Sequence, residues 1–376
     1  MSSGHLSRVL VVHNRDYEGA DADPENRARA DVLSTAEGVR AALQRLGHPV
    51  ELLGIGGDLD GLTSAIAAAA PDVVFNLCES IDGVASLEPL LPMLLERAGV
   101  PYTGSPPLTL GLAVHKHRAK DVLRGAGVPT PEAALLTTPD VSGVALPFPL
   151  IVKPAREDAS VGITLESVVH DRAALERQVT FILAHYNQPA LVERYIEGRE
   201  IYVSMLDRPG GGVDILPLYE IDFAEMPAGA PRIVSFDGKW VESSPEFRGT
   251  RPVACALAPD AAKLLESVAT RAFAAMELRD YARLDVRLDA AGTPYVIDVN
   301  PNCDLSDGAG FARAAAAAGL GYDALIGRIV ELAVQRRPHA DTIPFTARSR
   351  AQRPDLPADA GVAAGRRAIR GAARSG

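Results

Sequence analysis

The sequence predicts an α/β protein whose C-terminal half turns to α+β, and three observations carry that reading. Strand and helix patterns alternate over short connections through the first hundred or so residues, as a parallel sheet covered by helices requires. The stretch Tyr281 to Asn300, YARLDVRLDAAGTPYVIDVN, reads as two apolar strands joined by a Gly-containing turn. A chain of 376 residues is also long enough for two or three domains with a sizeable core.

Taken in order, Val9–Val12 is a short buried strand, and Val32 to Leu46 has helical periodicity ended by Gly47. Val50–Leu53 is a second strand, Leu62–Ala70 a helix and Val73–Leu77 a third strand. Between the first strand and its helix runs HNRDYEGADADPENRARAD, far longer than such connections usually are; loops of this length are functional or mobile. A small central domain, residues 106–189, follows the N-terminal domain of residues 1–105. The third domain, residues 190–335, opens with two strands in PALVERYIEGREIYVSML, bent at Gly198. Met226 to Gly249 has little periodicity and reads as a mobile loop. Pro259 starts a helix in which Ala261, Leu264, Leu265, Val268, Ala272 and Ala275 share a face, expected to pack on the sheet carrying the Tyr281–Asn300 hairpin. In that hairpin Leu284, Val286 and Leu288 alternate, and Val296, Ile297 and Val299 fill the second strand. Residues 336–376 are rich in Arg, Ala and Pro and read as a disordered basic tail.

A net charge of −10 argues against a nucleic-acid or anionic-membrane partner. Cys78, Cys255 and Cys303 are odd in number and widely spaced, without a disulfide framework or zinc spacing, so a cytoplasmic home is expected. No apolar run approaches membrane-spanning length, and the first strand is too short for a signal segment.

The chemistry begins with Arg283, Asp285, Asp298 and Asn300 on the hairpin. Aspartate is a poor strand former and costly to bury unpaired. Two carboxylates and an amide oxygen make a hard, oxygen-only set suited to Mg²⁺ on nucleotide phosphates; a solvated acidic edge with one salt bridge reads equally well from these residues alone. In VKPAREDASVG, Lys153 ends a strand before a small-residue loop closed by Gly162, an arrangement that suits anionic oxygens and that also occurs in ordinary surface turns. Glu193 and Glu200 flank the Gly198 bend, where exposed acids would be unremarked.

In this order and spacing, and with AGVPYTGSPPLTLGLAVHKHRAKDVLRGAGVPTP and GYDALIGRIVELA in register, these segments resemble the ATP-grasp superfamily and, within it, the D-alanine–D-alanine ligases, from Val73 to Ala333. The resemblance implies an ATP-grasp architecture behind an N-terminal parallel-sheet pre-ATP-grasp domain, with ATP between the central and C-terminal domains. Lys116 and Lys153 would bind its phosphates under the backbone of the Ala159–Gly162 loop, Ser160 and Gly162 included, with Lys239 nearby. Glu193, Arg194 and Ile196 would lie at the adenine edge, and Glu200 would accept from the ribose hydroxyls. Asp285, Asp298 and Asn300 would hold two Mg²⁺ ions, with Mn²⁺ as an alternative; the family usually has Glu where this chain has Asp298. Arg283 would stabilise an oxyanion as an amine attacks an acyl phosphate. Lys153 and Asp298 would thus serve phosphate and metal rather than packing, and their replacement is expected to leave the fold nearly intact. The implied partners are a small-molecule carboxylate and amine, and a homodimer is left open.

The amino-acid half departs from the family. Its Gly-Gly-x-Ser-x-Glu segment is replaced by the long 13–31 loop, with Ala30 near the acid's place and Asp31 beside it. Cys78 stands for the His of a His-Gly turn, Ala159 for a loop Ser, and Lys239-Trp240 for Lys-Tyr. After Asn300, Asp304 stands at a Gly-Met turn and Ala309-Gly310 replaces Ser-Leu. Asp304 and Asp307 would favour a cationic group over a second carboxylate, although Asp307 could equally cap a helix starting near Ala309. The expected activity is therefore ATP-dependent, ADP-forming carboxylate–amine ligation of amino-acid-like substrates. The alternatives are a D-alanine–D-alanine ligase of cell-wall synthesis and a non-catalytic nucleotide-binding regulator, which would not need the metal set with Arg283.

Overall fold

Val9–Asn14 forms β1, every residue of which is buried, as a strand covered on both faces must be. It pairs in parallel with β2 (Val50–Ile55) and β3 (Val73–Leu77) in the order β2-β1-β3. Alternate side chains divide between two cores. Val9 and Val11 pack with α1 (Val32–Arg45), while Leu10 and Val12 pack with α2 (Leu59–Ala69) and α3 (Leu90–Ala98). This computed structural model describes residues 6–15 and 32–336. Most of the long polar loop, with Ala30 and Asp31, and the tail after Arg336 lie outside the described residues.

The helices α4 (Pro107–Val114) and α5 (Lys116–Gly125) follow. Next comes an antiparallel sheet ordered β4 (Ala133–Leu136), β7 (Ala190–Arg194), β5 (Leu150–Pro154), β6 (Val168–Val169). One face is covered by α6 (Arg172–His185), whose first turn is capped by Asp171 accepting from the Ala174 N–H. Leu175, Val179 and Ile182 meet Leu150, Val152 and Val192 there, so Lys153 and Glu193, one residue on, point to the other face. The expected domain limits do not fall where the sheets divide. The strand opening at Ala190 is hydrogen-bonded between β4 and β5, and Ala113, Ala119 and Leu123 of α4 and α5 join the core of the next sheet.

That sheet runs β11 (Arg251–Ala254), β10 (Tyr219–Asp222), β8 (Arg199–Asp207), β12 (Tyr281–Leu288), β13 (Pro294–Asn300), with β9 (Val213–Ile215) also on β8. Two short helices lie between β10 and β11: α7 (Phe236–Trp240) and α8 (Pro245–Arg248), capped by Ser235 and Ser244. The segment expected as a loop without periodicity thus contains single-turn helices, set by caps and too short to show a 3.6-residue period. The helix α9 (Pro259–Ala275) covers one face of the sheet through Leu265, Val268, Ala269, Ala272 and Phe273. Leu264 is 44 % exposed, so the buried stripe is rotated from the expected face. The last helices, α10 (Gly310–Ala317) and α11 (Tyr322–Gln335), return to the core of α1 and β1. Among the described residues no helix is long and apolar enough to cross a membrane.

In the hairpin Arg283 stands opposite Asn300 and Asp285 opposite Asp298, after which a bulge pairs Val286 with Val296. The bulge leaves Ile297 out of the ladder, facing a cleft rather than filling the core. Leu284, Val286, Val296 and Val299 form the dry side.

Gly198 makes the turn into β8 at φ 148°, and a Cβ there would stand 2.1 Å from the Leu288 carbonyl oxygen. Backbone cannot yield as a flexible side chain can. Gly198→Ala is therefore expected to cost at least about 2 kcal/mol in urea denaturation; an unchanged midpoint would show the turn to be plastic.

Candidate active site

Two adjoining cavities open beside the polar face of the hairpin. The larger, about 520 Å³, lies between the two antiparallel sheets and falls in the range that holds small-molecule ligands. Lys116, Lys153, Glu193, Arg194, Ile196 and Glu200 all line it. So do Ser160, Lys239, Arg283, Asp285, Asp298 and Asn300. Residues from five separate stretches of chain therefore meet on one surface.

The polar side chains form an ionic framework. Glu193 is 2 % exposed and sits between Lys120 Nζ at 2.6 Å and Lys153 Nζ at 2.9 Å. Burial works to raise its carboxyl, but Lys120 and Lys153 outweigh burial and hold it below the usual range. Burial also pulls Lys120 down to about 8, against the opposing pull of Glu193. Lys120 donates to Thr130 Oγ1, which donates to the Val296 carbonyl of β13. Lys116 contacts Asp158 at 2.6 Å and Asp298 at 2.9 Å. Burial opposes its charge, and those two acids overcome it and raise Lys116 above the ordinary lysine range. Arg283 makes a two-point contact with Asp285, at 2.7 and 3.0 Å, and lies over the Tyr202 ring. Glu200 pairs with Arg287 at 2.8 Å, yet burial leaves its carboxyl raised.

These contacts correct the expectation that Lys153 and Asp298 carry no structural role, because each neutralises a buried partner. Lys120 and Arg287 were not singled out from sequence. HKHRAKDVLRG reads as a solvated helix face, although Lys120 falls four residues after Lys116 and so shares its side of the helix.

Asp285 and Asp298 face one another across the strands with Asn300 two residues further, and Asn300 Nδ2 is buried without a hydrogen bond. Among the described residues no group of three or more His, Cys, Asp or Glu is arranged to hold a metal. The donor set is two carboxylates and one amide, hard oxygens that fit Mg²⁺ when phosphate oxygens complete the shell. The orphaned amide N–H suits the same anionic oxygens.

The loop above Lys153 turns through left-handed conformations at Ala159 (φ 54°) and Ser160 (φ 63°). Gly162 does not line the cavity. Its φ is 75° and a Cβ would stand 2.4 Å from Pro154 Cγ, so its role is to let the loop close on its own strand. The Trp240 indole Nε1–H donates to the Ala159 carbonyl at 2.9 Å, joining α7 to this loop, and Lys239 lies 5.0 Å above the same indole.

The smaller cavity, about 170 Å³, is bounded by the N-terminal sheet and shares Arg283, Asn300, Lys239 and Asp304 with the larger one. Asp304 accepts hydrogen bonds from the Ser306 N–H and hydroxyl. Asp307, expected with it, is exposed and lines neither cavity. Nor does it cap α10, whose N-cap is Ala309 without a side-chain bond. Cys78 is buried and donates through Sγ to the Ser80 carbonyl.

A family model described as the D-ala D-ala ligase C-terminus matches residues 124–331. The uncharacterized protein y4sG of Sinorhizobium fredii is 37 % identical over 80 % of this chain and 88 % of its own length. The D-alanine–D-alanine ligase of Chromohalobacter salexigens is 34 % identical over 86 % and 93 % respectively. Among solved structures, a D-alanine–D-alanine ligase from Bacillus anthracis complexed with ATP superposes with a TM-score of 0.67 at 22 % identity, covering 89 % of this chain and 98 % of its own. The VanG D-Ala:D-Ser ligase from Enterococcus faecalis gives 0.65 at 16 % identity, over 87 % and 99 %. At those identities the structures establish a shared fold.

Two outcomes test the framework. Glu193→Gln strands two buried ammonium groups and is expected to cost about 3–5 kcal/mol in chemical denaturation. Because the folded carboxyl is held low, its contribution is present above the unfolded value of about 4.3 and fades as pH falls through the folded one. The variant should therefore lose stability at neutral pH and little in acid. The chain has one tryptophan, so emission reports on the Trp240–Ala159 contact directly. ATP is expected to shift it, and a spectrum unmoved at saturating ATP would separate the loop from the cavity.

Proposed function

The chain belongs to the D-alanine–D-alanine ligase family of ATP-grasp enzymes and is an ATP-dependent, ADP-forming carbon–nitrogen ligase, and we propose that it joins an amino-acid-like carboxylate to an amine other than a pair of D-alanines. One observation carries the site assignment: Arg283, Asp285, Asp298 and Asn300 share one face of the hairpin, opposite Lys116 and Lys153, where the two cavities meet.

ATP would occupy the larger cavity. The adenine would rest against Ile196 and the backbone of Arg194, with Glu193 behind it as the anchor of Lys153 rather than a contact with the base. Glu200, oriented by Arg287, would accept from the ribose. Lys153 and Lys116 would take the phosphates, and Lys116 would exchange its two carboxylate partners for phosphate oxygens. That exchange frees Asp298 to serve, with Asp285 and Asn300, as a ligand for divalent metal. Two Mg²⁺ ions, with Mn²⁺ as an alternative, would offset the repulsion between γ-phosphate and substrate carboxylate. Arg283, fixed by Asp285 and Tyr202, would then meet the oxyanion formed as the amine attacks the acyl phosphate. Lys239 and Trp240 would hold the phosphate loop down and keep water from that intermediate.

The second reading, a D-alanine–D-alanine ligase, is favoured by the activity named for the Chromohalobacter salexigens relative. Ala159, Trp240 and Ala309 speak against it, because they remove hydroxyl groups at three amino-acid contacts implied by the family pattern. A regulator without catalysis would not need the metal set with Arg283.

With ATP, Mg²⁺ and the correct acid, hydroxylamine is expected to trap a hydroxamate with release of ADP and phosphate. AMP and pyrophosphate would instead reveal an adenylate route and overturn the mechanism. Asn300→Ala removes a side chain whose amide N–H has no partner, so it should leave the melting curve in place while lowering kcat about a hundredfold or more. Losing two or three charged or buried hydrogen bonds, each roughly 1.5–3 kcal/mol, should weaken D-alanine use by at least about a hundredfold. Brisk D-alanyl-D-alanine synthesis from millimolar D-alanine would establish the second reading in place of the first.

A further inference from the structure

Lys120 takes no direct part in the reaction above and lines neither cavity, yet it is 3 % exposed and lies 2.6 Å from Glu193. Lys116, one turn earlier on α5, reaches the larger cavity, while Lys120 stops behind its wall. Glu193 divides its oxygens, Oε1 toward Lys120 and Oε2 toward Lys153 at 2.9 Å. The other contact of Lys120 is a neutral hydroxyl, Thr130 Oγ1 at 2.9 Å. Lys153 has three N–H donors to place and, besides Glu193, meets only the Ile297 carbonyl at 3.4 Å among the described residues. Burial pulls Lys120 down to about 8, so it keeps its proton at neutral pH. Two cations therefore share one buried anion, with one positive charge in excess. Of the two lysines only Lys153 faces the cavity, so the excess is available there.

The surplus matters once Lys153 turns to a phosphate. A carboxylate as buried as Glu193 cannot recruit water, and with a single counter-ion it would be left uncompensated as that ion moved to another anion. The partners of Lys116 do not meet this difficulty. The Asp158 side chain is 51 % exposed and can be hydrated, and Asp298 would receive metal in place of Lys116. Glu193 has neither water nor metal to turn to. What remains beside it is Lys120, fixed by Glu193 and Thr130 and without a surface on the cavity.

We propose that Lys120 is a positioning residue for nucleotide binding, which keeps Glu193 compensated while Lys153 engages a phosphate of ATP. This rests on the placement of ATP in the larger cavity and adds a residue that never touches the nucleotide. The property it uses is charge rather than shape, so an arginine can serve and a methionine of similar length cannot. Without the Lys120 charge, Glu193 holds Lys153 alone, and phosphate must compete with a buried carboxylate for one ammonium group. Removing the Lys120 and Glu193 charges together leaves Lys153 free again, so the two changes are strongly non-additive.

Isothermal titration calorimetry of the full chain with ATP and Mg²⁺ reads this directly. Lys120→Met is expected to weaken ATP binding at least about tenfold, and Lys120→Arg to bind within about threefold of wild type. The decisive variant combines Lys120→Met with Glu193→Gln, because Lys153 then keeps its charge and loses its buried competitor. It should bind ATP within about threefold of wild type, and it tests the idea even where Lys120→Met alone does not fold. A double variant that loses about tenfold or more would show that Lys120 acts through packing, and would overturn the proposal. So would Lys120→Met with wild-type affinity, or Lys120→Arg as weak as Lys120→Met. A wild type that does not bind ATP at all would instead remove the nucleotide from the cavity and sink the ligase reading together with this proposal.

Discussion

Two buried lysines converge on one buried glutamate, and the placement of the cleft depends on that contact. Glu193 belongs to the middle of the central sheet, Lys153 to its neighbouring strand and Lys120 to a helix that packs on the other sheet. Lys120 reaches the hairpin through Thr130 and the Val296 carbonyl, and Lys153 comes within 3.4 Å of the Ile297 carbonyl. Charges so deeply buried are stable only while all partners are present. The same contact therefore holds Lys153 at the cavity surface and sets the spacing of the sheets that form the cavity walls.

The hairpin adds a second constraint. The two-residue period of a strand separates Leu284, Val286, Val296 and Val299 from Arg283, Asp285, Asp298 and Asn300, so one element closes the core and presents the polar set at once. The bulge after Asp285 lets both faces coexist: it drops Ile297 toward the cavity without shifting the acids out of opposition. Each charged group on this face is matched, Asp285 by Arg283 and Asp298 by Lys116. Under the proposed function, a nucleotide with metal would bring charges of both signs and exchange with these pairs without leaving any of them uncompensated.

The N-terminal sheet completes the smaller cavity and is tied to the hairpin from several directions. Asn302 bridges Tyr281, the Cys78 carbonyl and Glu88, while Asp280 accepts from the Gly104 N–H at 2.7 Å. The helices α10 and α11 bury Phe311, Leu325, Ile326 and Ile329 against β1 and α1. Both cavities thus share walls at Arg283 and Asn300, where transfer between nucleotide and acid would take place.

By itself the sequence determined the order of elements, because hydrophobic period, Gly and Pro are local signals: the strand at Val73–Leu77 and the helix opened by Pro259 fall where the pattern puts them. It also determined the family and the polar set of the hairpin, since short motifs there carry their own chemistry. Only the tertiary structure decided how charges pair. Lys120 reads as a solvated lysine until α5 meets β7, and Glu193 as an exposed acid until two lysines reach it. Asp304 and Asp307 are alike in sequence and differ in space, one on the cavity wall and one in solvent. Ion pairs and cavities join residues tens to hundreds of positions apart, and at that distance neither periodicity nor spacing holds information about contact.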